Sequence, residues 1–207
     1  MKRLLTILLL STSSLVFSQN RSERVFPNQQ KYKDIMADLG SPLSGKPVLI
    51  LNYFAEKEGS YLFYINETPS KNQSYIDDKA KDLYAGLFIE DHGGLSEIIT
   101  FKDFSGPLSQ PNYFLDQCIA VDADGNKSPE FYLTYFENSD GLDAKPLKVI
   151  VYSKNGKSFV KSKITTWISY QPEDKERIEK DENFKKLPIS IQKKAEELSK
   201  KAKVFLN

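Results

Sequence analysis

Residues 119–136 crowd oxygen-bearing side chains into one short turn between two apolar segments. Asp122, Asp124 and Asn126 lie two residues apart, and Glu130 follows four residues after Asn126. A calcium ion takes about six to eight oxygen ligands from carboxylates, amides, backbone carbonyls and water. A tight loop supplies several of them when alternate residues turn inward. This spacing therefore predicts a calcium site.

The predicted ligands are Asp122, Asp124, Asn126, the backbone carbonyl of Ser128, and Glu130. Magnesium fits less well because it favours water-rich octahedral sites. Zinc is poorly served, since the chain has one histidine and one cysteine, far apart in sequence. The alternative is an ordinary polar turn, because Asp, Gly, Asn and Ser are turn residues in their own right.

Apolar segments on both sides of the acidic turn predict the strands that must position it. One predicted strand covers 112–121 and ends at the turn, and another covers 131–138 and leaves it. Elsewhere, paired apolar segments around short turns predict β-hairpins, most clearly at Asn155-Gly156. The predicted hairpins join 47–55 with 61–66, 82–90 with 95–103, and 146–153 with 158–167.

The C-terminal segment predicts an amphipathic helix over 188–205. Lysines and glutamates fill its polar face, so it either packs over a sheet or lies on a membrane surface. Packing over a sheet is favoured because large apolar groups are few. The apolar stripe consists of Ile191, Ala195, Leu198, Ala202 and Phe205.

These elements predict a mainly β (α+β) fold made of hairpins. One domain over 46–207 would hold an antiparallel sheet of about seven or eight strands, with the helix on one face. Residues 19–45 form a polar N-terminal segment with a short helix that ends at Gly40.

The N-terminus has the pattern of a secretory signal peptide over 1–18. Lys2 and Arg3 precede the apolar segment 4–10, and cleavage is expected between Ser18 and Gln19. The apolar segment is too short to span a bilayer, which needs about 20 apolar residues. We therefore expect an exported protein, periplasmic or secreted, with no transmembrane segment after cleavage.

Composition limits the partners of the exported chain. The full chain carries a formal charge of +1, and removing Lys2 and Arg3 leaves −1. A near-neutral chain argues against nucleic acid as a partner. Cys118 is the only cysteine, so no internal disulfide can form. It lies in an apolar pattern and is interpreted as a buried small hydrophobic residue.

The acidic turn resembles the calcium loops of FG-GAP-type repeats in secreted and surface proteins. Those loops usually carry glycine at their fourth and sixth positions. Gly125 keeps the first of these, but Lys127 stands at the second. A non-glycine residue in a left-handed conformation costs about 1 kcal/mol or more. Asn126 also supplies one charge fewer than an aspartate.

Over residues 45–205 the chain resembles a family of bacterial exported proteins named for surface polysaccharide biosynthesis. The stretches that carry the resemblance are "SGKPVLILNYFAEKEGSYLFYINE", "CIAVDADGNKSPEFYLTYF" and "DAKPLKVIVYSKNGK". In that family the loop is closer to D-x-D-G-D-G-x-x-E, and an aspartate–proline motif precedes a lysine-containing strand. Asp143, Pro146 and Lys148 stand at those places. The resemblance implies a link to surface glycan.

Two functions therefore remain open from the sequence. One is a non-enzymatic, calcium-stabilised exported domain that binds surface glycan or envelope proteins. The other is an envelope enzyme acting on glycan through carboxylates that the sequence does not identify. The absence of G-x-S-x-G and H-E-x-x-H motifs favours the first. His92 is interpreted as a turn residue, and Trp167 is the best candidate for stacking on a sugar ring.

Overall fold

The computed structural model describes residues 21–72, 74–171 and 177–206. They form two antiparallel sheets and three helices, which confirms the mainly β fold with a C-terminal helix. The predicted signal peptide and its cleavage point lie outside the described residues. The strands are β1 (Arg21–Val25), β2 (Lys46–Ala55), β3 (Gly59–Pro69), β4 (Lys81–Asp91), β5 (Gly94–Asp103), β6 (Ser109–Tyr113), β7 (Ile119–Val121), β8 (Glu130–Ser139), β9 (Lys145–Asn155), β10 (Ser158–Ile168) and β11 (Arg177–Lys180). The helices are α1 (Gln30–Asp38), α2 (Glu182–Lys185) and α3 (Ile189–Val204).

The two sheets follow the chain closely. The first has the strand order β1-β2-β3-β4-β5, so each strand pairs with its neighbour in sequence. The second has the order β11-β10-β9-β8-β6, and β7 pairs with β8 beside β6. The three predicted hairpins are β2–β3, β4–β5 and β9–β10. Short turns favour this antiparallel pairing of sequence neighbours.

The main core lies between the two sheets. Aromatic side chains interlock there: Phe63 on β3 contacts Phe131 on β8 and Tyr152 on β9, with ring centroids 5.7 and 5.3 Å apart. All three side chains are fully buried. Such tilted aromatic pairs add about 0.5–1.5 kcal/mol beyond area burial. The core therefore fixes β8, the strand that begins at Glu130, against the opposite sheet.

Each sheet carries a helix on its outer face, which gives four layers. α3 covers the second sheet, where Ile191 and Leu198 pack against Tyr132, Val149 and Val151. α1 covers the first sheet through partly buried side chains such as Tyr32 and Ile35. The predicted packing of the C-terminal helix is confirmed for four members of its stripe. Phe205 is the exception, because the helix ends at Val204 and the Phe205 side chain is 69% exposed.

Several details were not predicted from the sequence. The strands divide between two sheets, because β3 and β8 are buried on both faces and each face needs its own covering layer. The predicted strand over 112–121 is interrupted by a 3₁₀ turn at Leu115–Gln117. β1 lies in the segment 19–45, where only a helix was predicted, and that helix is α1.

β7 connects the two sheets at one edge. It is only three residues long, and it pairs with β8 through Ala120 opposite Phe131. The hydroxyl of Ser22 on β1 donates to the Ala120 carbonyl at 2.6 Å. β7 is thereby held between its own sheet and the edge strand of the other. Separately, none of the helices in the described part of the chain is long and apolar enough to cross a membrane.

Candidate metal centre

The acidic loop occupies residues 122–129, between β7 and β8. Glu130 is the first residue of β8, and its side chain is only 1% exposed. The Ala123 N–H donates to Glu130 Oε2 at 2.7 Å. Glu130, the last predicted ligand, is therefore buried at the start of β8 and is connected to the loop by a hydrogen bond.

Backbone N–H groups hold the aspartates in place. Asp122 accepts from the Asn126 N–H at 3.0 Å and from the Lys127 N–H at 2.9 Å, one on each carboxylate oxygen. Asp124 accepts from the Asn126 N–H at 3.1 Å. The Asn126 side-chain oxygen accepts from the Ser128 N–H at 2.7 Å. Short polar side chains that bond to nearby backbone groups stabilise tight turns of this kind.

The loop turns sharply at two left-handed residues. Gly125 has a φ of 75° and Lys127 a φ of 73°. These are the fourth and sixth loop positions, where the resembled calcium loops carry glycine. Lys127 therefore adopts the backbone conformation that a glycine would supply, at a cost of about 1 kcal/mol.

Three of the five predicted ligands come together. One carboxylate oxygen from each of Asp122, Asp124 and Glu130 lies within 4.8 Å of the other two, the only such cluster found in the described ranges. Asn126 is exposed, and its side-chain N–H donates to Asp124 at 3.0 Å. The Ser128 hydroxyl lies 3.5 Å from Glu58 on the turn after β2.

Burial and charge act together on Glu130. Burial, with a smaller contribution from the neighbouring Asp124 and Asp122 carboxylates, raises the pKa of this carboxyl to about 8 despite the opposing hydrogen bond from the Ala123 N–H. Without a cation, Glu130 is therefore largely protonated at neutral pH. A divalent cation between the three groups would reverse this preference, because an opposite charge favours the ionised form.

A cleft of about 310 Å³ opens beside the cluster, and we name it the loop cleft. Asp124, Asn126 and Glu130 form one side of it. The floor and far side come from β9, β10 and the junction of α2 with α3, which sequence reasoning did not connect to the loop. The residues involved include Ser153, Ser162, Lys186 and Pro188. They lie more than 20 residues from the loop in sequence, so no local pattern could have identified them.

The other candidate residues, Trp167, His92 and Cys118, each contact, or are buried by, other parts of the protein. The Arg177 guanidinium lies over the Trp167 ring at 4.2 Å, so a cation already covers one face of that ring. His92 is exposed in the β4–β5 turn and pairs with Asp91. Cys118 is fully buried, and burial raises the pKa of its thiol to about 12, so the thiolate is not formed at neutral pH.

The donor set fits a hard cation. All the gathered groups are oxygen donors, and two of the three carboxylates are partly exposed while the third is buried. Calcium binds through such groups, whereas zinc favours nitrogen and sulfur. Asp122, Asp124 and Glu130 would hold the ion, whereas Asn126 and the Ser128 carbonyl stay predicted ligands.

Comparisons with family models, with curated proteins and with solved structures found no match to this chain. The similarity of the loop to FG-GAP calcium loops and of the chain to exported polysaccharide-linked proteins stays a hypothesis based on the quoted residues.

Proposed function

We propose that this chain is an exported, non-enzymatic domain that binds calcium through the loop 122–130 and is stabilised by it. One observation carries the proposal: Asp122, Asp124 and the buried Glu130 converge within 4.8 Å. Ionising all three carboxyl groups so close together is unfavourable, and a divalent cation between them removes that cost. The left-handed conformation of Lys127 supports it further, because a turn of this kind is expected at the sixth position of the loop although the residue is not a glycine.

Calcium at about millimolar concentration would be enough for such a site outside the cytoplasm. Extracellular calcium modules bind with dissociation constants of about 10⁻⁴–10⁻³ M. At a tenfold excess of ion over the dissociation constant, binding adds about 1.4 kcal/mol to the free energy of unfolding. One bound ion would therefore add usefully to the stability of a chain that has no internal disulfide.

The wider role that we propose is binding in the cell envelope, to surface glycan or envelope proteins. The signal peptide pattern over 1–18 and the resemblance over 45–205 support it. N-terminal sequencing of the natively expressed protein tests the export step directly. A chain that begins at Gln19 in the periplasm or medium is the expected result, and an intact Met1 in the membrane fraction would contradict it.

Thermal melting of the purified protein tests the calcium site. We expect the melting temperature to rise by about 3–6 °C from chelator to saturating calcium, as about 1.4 kcal/mol implies for a chain of this size. Asp124→Ala should remove the rise, because it deletes one of the three converging carboxylates. Asp143→Ala is the matched control, since Asp143 is an exposed loop aspartate outside the cluster. A wild-type melting temperature that chelator leaves unchanged would show that the loop is only a turn.

A further inference from the structure

The loop cleft lies between the acidic loop and a surface that carries positive charge. Asp124 and Glu130 line one side, and Lys186, Ser162 and the beginning of α3 line the other. All of these groups line the same cleft, so one ligand can contact several of them together. At about 310 Å³ it lies at the lower end of the range for small-molecule sites.

Ser162 is an unsatisfied polar group in the cleft wall. Its side chain is fully buried on β10, and its hydroxyl has no hydrogen-bond partner among the described residues. Its neighbour across the sheet is Val151, which offers no polar side-chain atom. Buried polar groups without a partner are rare in native proteins and call for an explanation. A ligand in the loop cleft would supply the missing acceptor.

The beginning of α3 is an uncapped helix end. α3 has 16 residues, and its N-cap residue is Pro188, which makes no side-chain capping hydrogen bond. The first N–H groups of a helix have no intrahelical partner, and the helix dipole adds a partial positive charge there. Pro188 and Ile191 both line the cleft, so this end of the helix borders it. Such ends bind anions.

Lys186 places a full positive charge on the same side. It is exposed and forms no ion pair with any residue in the described part of the chain, whereas its neighbour Lys185 pairs with Glu182 at 2.6 Å. Lys154 also lines the cleft but is paired with Glu58. Lys186 is thus the lysine in the loop cleft that is available to a ligand.

Calcium would make the acidic side receptive to an anion. Without the ion, the carboxylates of Asp122 and Asp124 repel an anion. A calcium ion bound to three ionised carboxylates leaves a single net negative charge, which Lys186 and the helix end offset. The predicted set of five protein ligands is also smaller than the six to eight or so that calcium takes, so coordination positions stay open. Asp124, Asn126 and Glu130 line the cleft, and open positions on that side would face it.

We infer that the loop cleft binds a small oxyanion, a carboxylate or phosphate group, that completes the calcium coordination and is held by Lys186, the Ser162 hydroxyl and the beginning of α3. This inference rests on the proposed calcium site and adds a ligand class to it. Calcium and the oxyanion bind cooperatively. Each raises the affinity of the protein for the other by the same factor, as linkage requires.

Isothermal titration of the full protein with acetate and with methyl phosphate, each in calcium and in chelator, tests the inference. We expect binding of at least one probe in calcium and none in chelator. The probe that binds identifies the group, and its presence should lower the dissociation constant for calcium measured separately. Probe binding of equal strength in chelator would overturn the role of calcium.

Variants separate this inference from the proposed function. Lys186→Ala should weaken probe binding about tenfold, because it removes a charge-assisted hydrogen bond, and Ser162→Ala should weaken it about threefold. Lys185→Ala is the matched control and should bind the probe as the wild type does. If calcium raises the melting temperature but neither probe binds, or if Lys186→Ala matches its control, the inference fails alone. If calcium does not bind, both fail together.

Discussion

The two loops at the ends of β8 carry similar acidic groups but arrange them differently. Asp122, Asp124 and Glu130 at the first end converge within 4.8 Å. Among the described residues, Glu137, Asp140 and Asp143 at the second end form no such cluster. Glu137 instead pairs with Lys148 on the neighbouring β9 at 2.6 Å, and the two aspartates are exposed.

The contrast shows what turns acidic composition into a candidate metal centre. At the first end a buried strand residue, Glu130, has an N–H group as its partner and, among the described residues, no ion pair. At the second end a cross-strand lysine already satisfies the carboxylate of Glu137. Opposite charges on paired strands stabilise a sheet by about 0.2–1 kcal/mol. The carboxylate of such a pair is already neutralised, so it attracts a cation less. A metal site needs carboxylates that the protein has not already neutralised.

The largest expected effect is a pH dependence of stability that comes from Glu130 at the first end. The pKa of Glu130 in the folded protein, about 8, lies above its ordinary value near 4.5. Protonated Glu130 therefore stabilises the folded protein fully below the unfolded pKa, and this stabilisation is lost as the pH rises through the folded pKa. In chelator we expect the free energy of unfolding to fall by an amount on the order of 3 kcal/mol between pH 5 and pH 8. Urea unfolding at a series of pH values measures it.

Glu130→Gln is the control for that dependence. Glutamine keeps the volume and an acceptor for the Ala123 N–H but does not titrate. The fall should be much smaller in this variant, and saturating calcium should also reduce it in the wild type. An unchanged fall in Glu130→Gln would assign the dependence to other groups.

The smaller effects concern the turn itself. Gly125→Ala should lower the free energy of unfolding by about 1 kcal/mol, because alanine is strained at a φ of 75° although its added Cβ meets no atom within 4 Å. Lys127→Gly should raise it by about 0.5 kcal/mol or less, since relief of strain is partly offset by a more flexible unfolded chain. Chemical denaturation compares the two. Changes of the same sign would contradict the left-handed role of Lys127.

The smallest effect is expected at the second end of β8. Asp140→Asn and Asp143→Asn should each change the free energy of unfolding by less than about 0.5 kcal/mol, as exposed substitutions usually do. Neither should alter the response of the melting temperature to calcium. A calcium response that depends on Asp143 would mean that the second loop also binds the ion, and the contrast between the ends of β8 would disappear.

Local patterns predicted much of the fold but not its layering. The Asn155-Gly156 turn identified the β9–β10 hairpin because its chemistry is contained in a few adjacent residues. β1 escaped prediction because it is a short, polar edge strand whose pairing with β2 depends on residues far along the chain. The division into two sheets also escaped, since strands that are apolar on both faces do not specify what covers each face.

The candidate site was predictable in the same uneven way. The spacing of Asp122, Asp124 and Glu130 identified the converging carboxylates, because all three lie in one short segment. The burial of Glu130 and the cleft beside it were not predictable. They depend on Ser162, Lys186 and the beginning of α3, which reach the loop only through the tertiary fold.

The short strand β7 also bears on how far the edges of the two sheets are open to other chains. Edge strands present unpaired backbone groups to which strands of other chains can bind, and many proteins prevent this by covering their edges. Here the Ser22 hydroxyl of the edge strand β1 donates a hydrogen bond to the Ala120 carbonyl of β7. The two edges therefore partly cover each other. β7 leads directly into the acidic loop. An ion that holds the loop would therefore also help to keep this pair of edges together, in a chain whose single cysteine allows no internal disulfide.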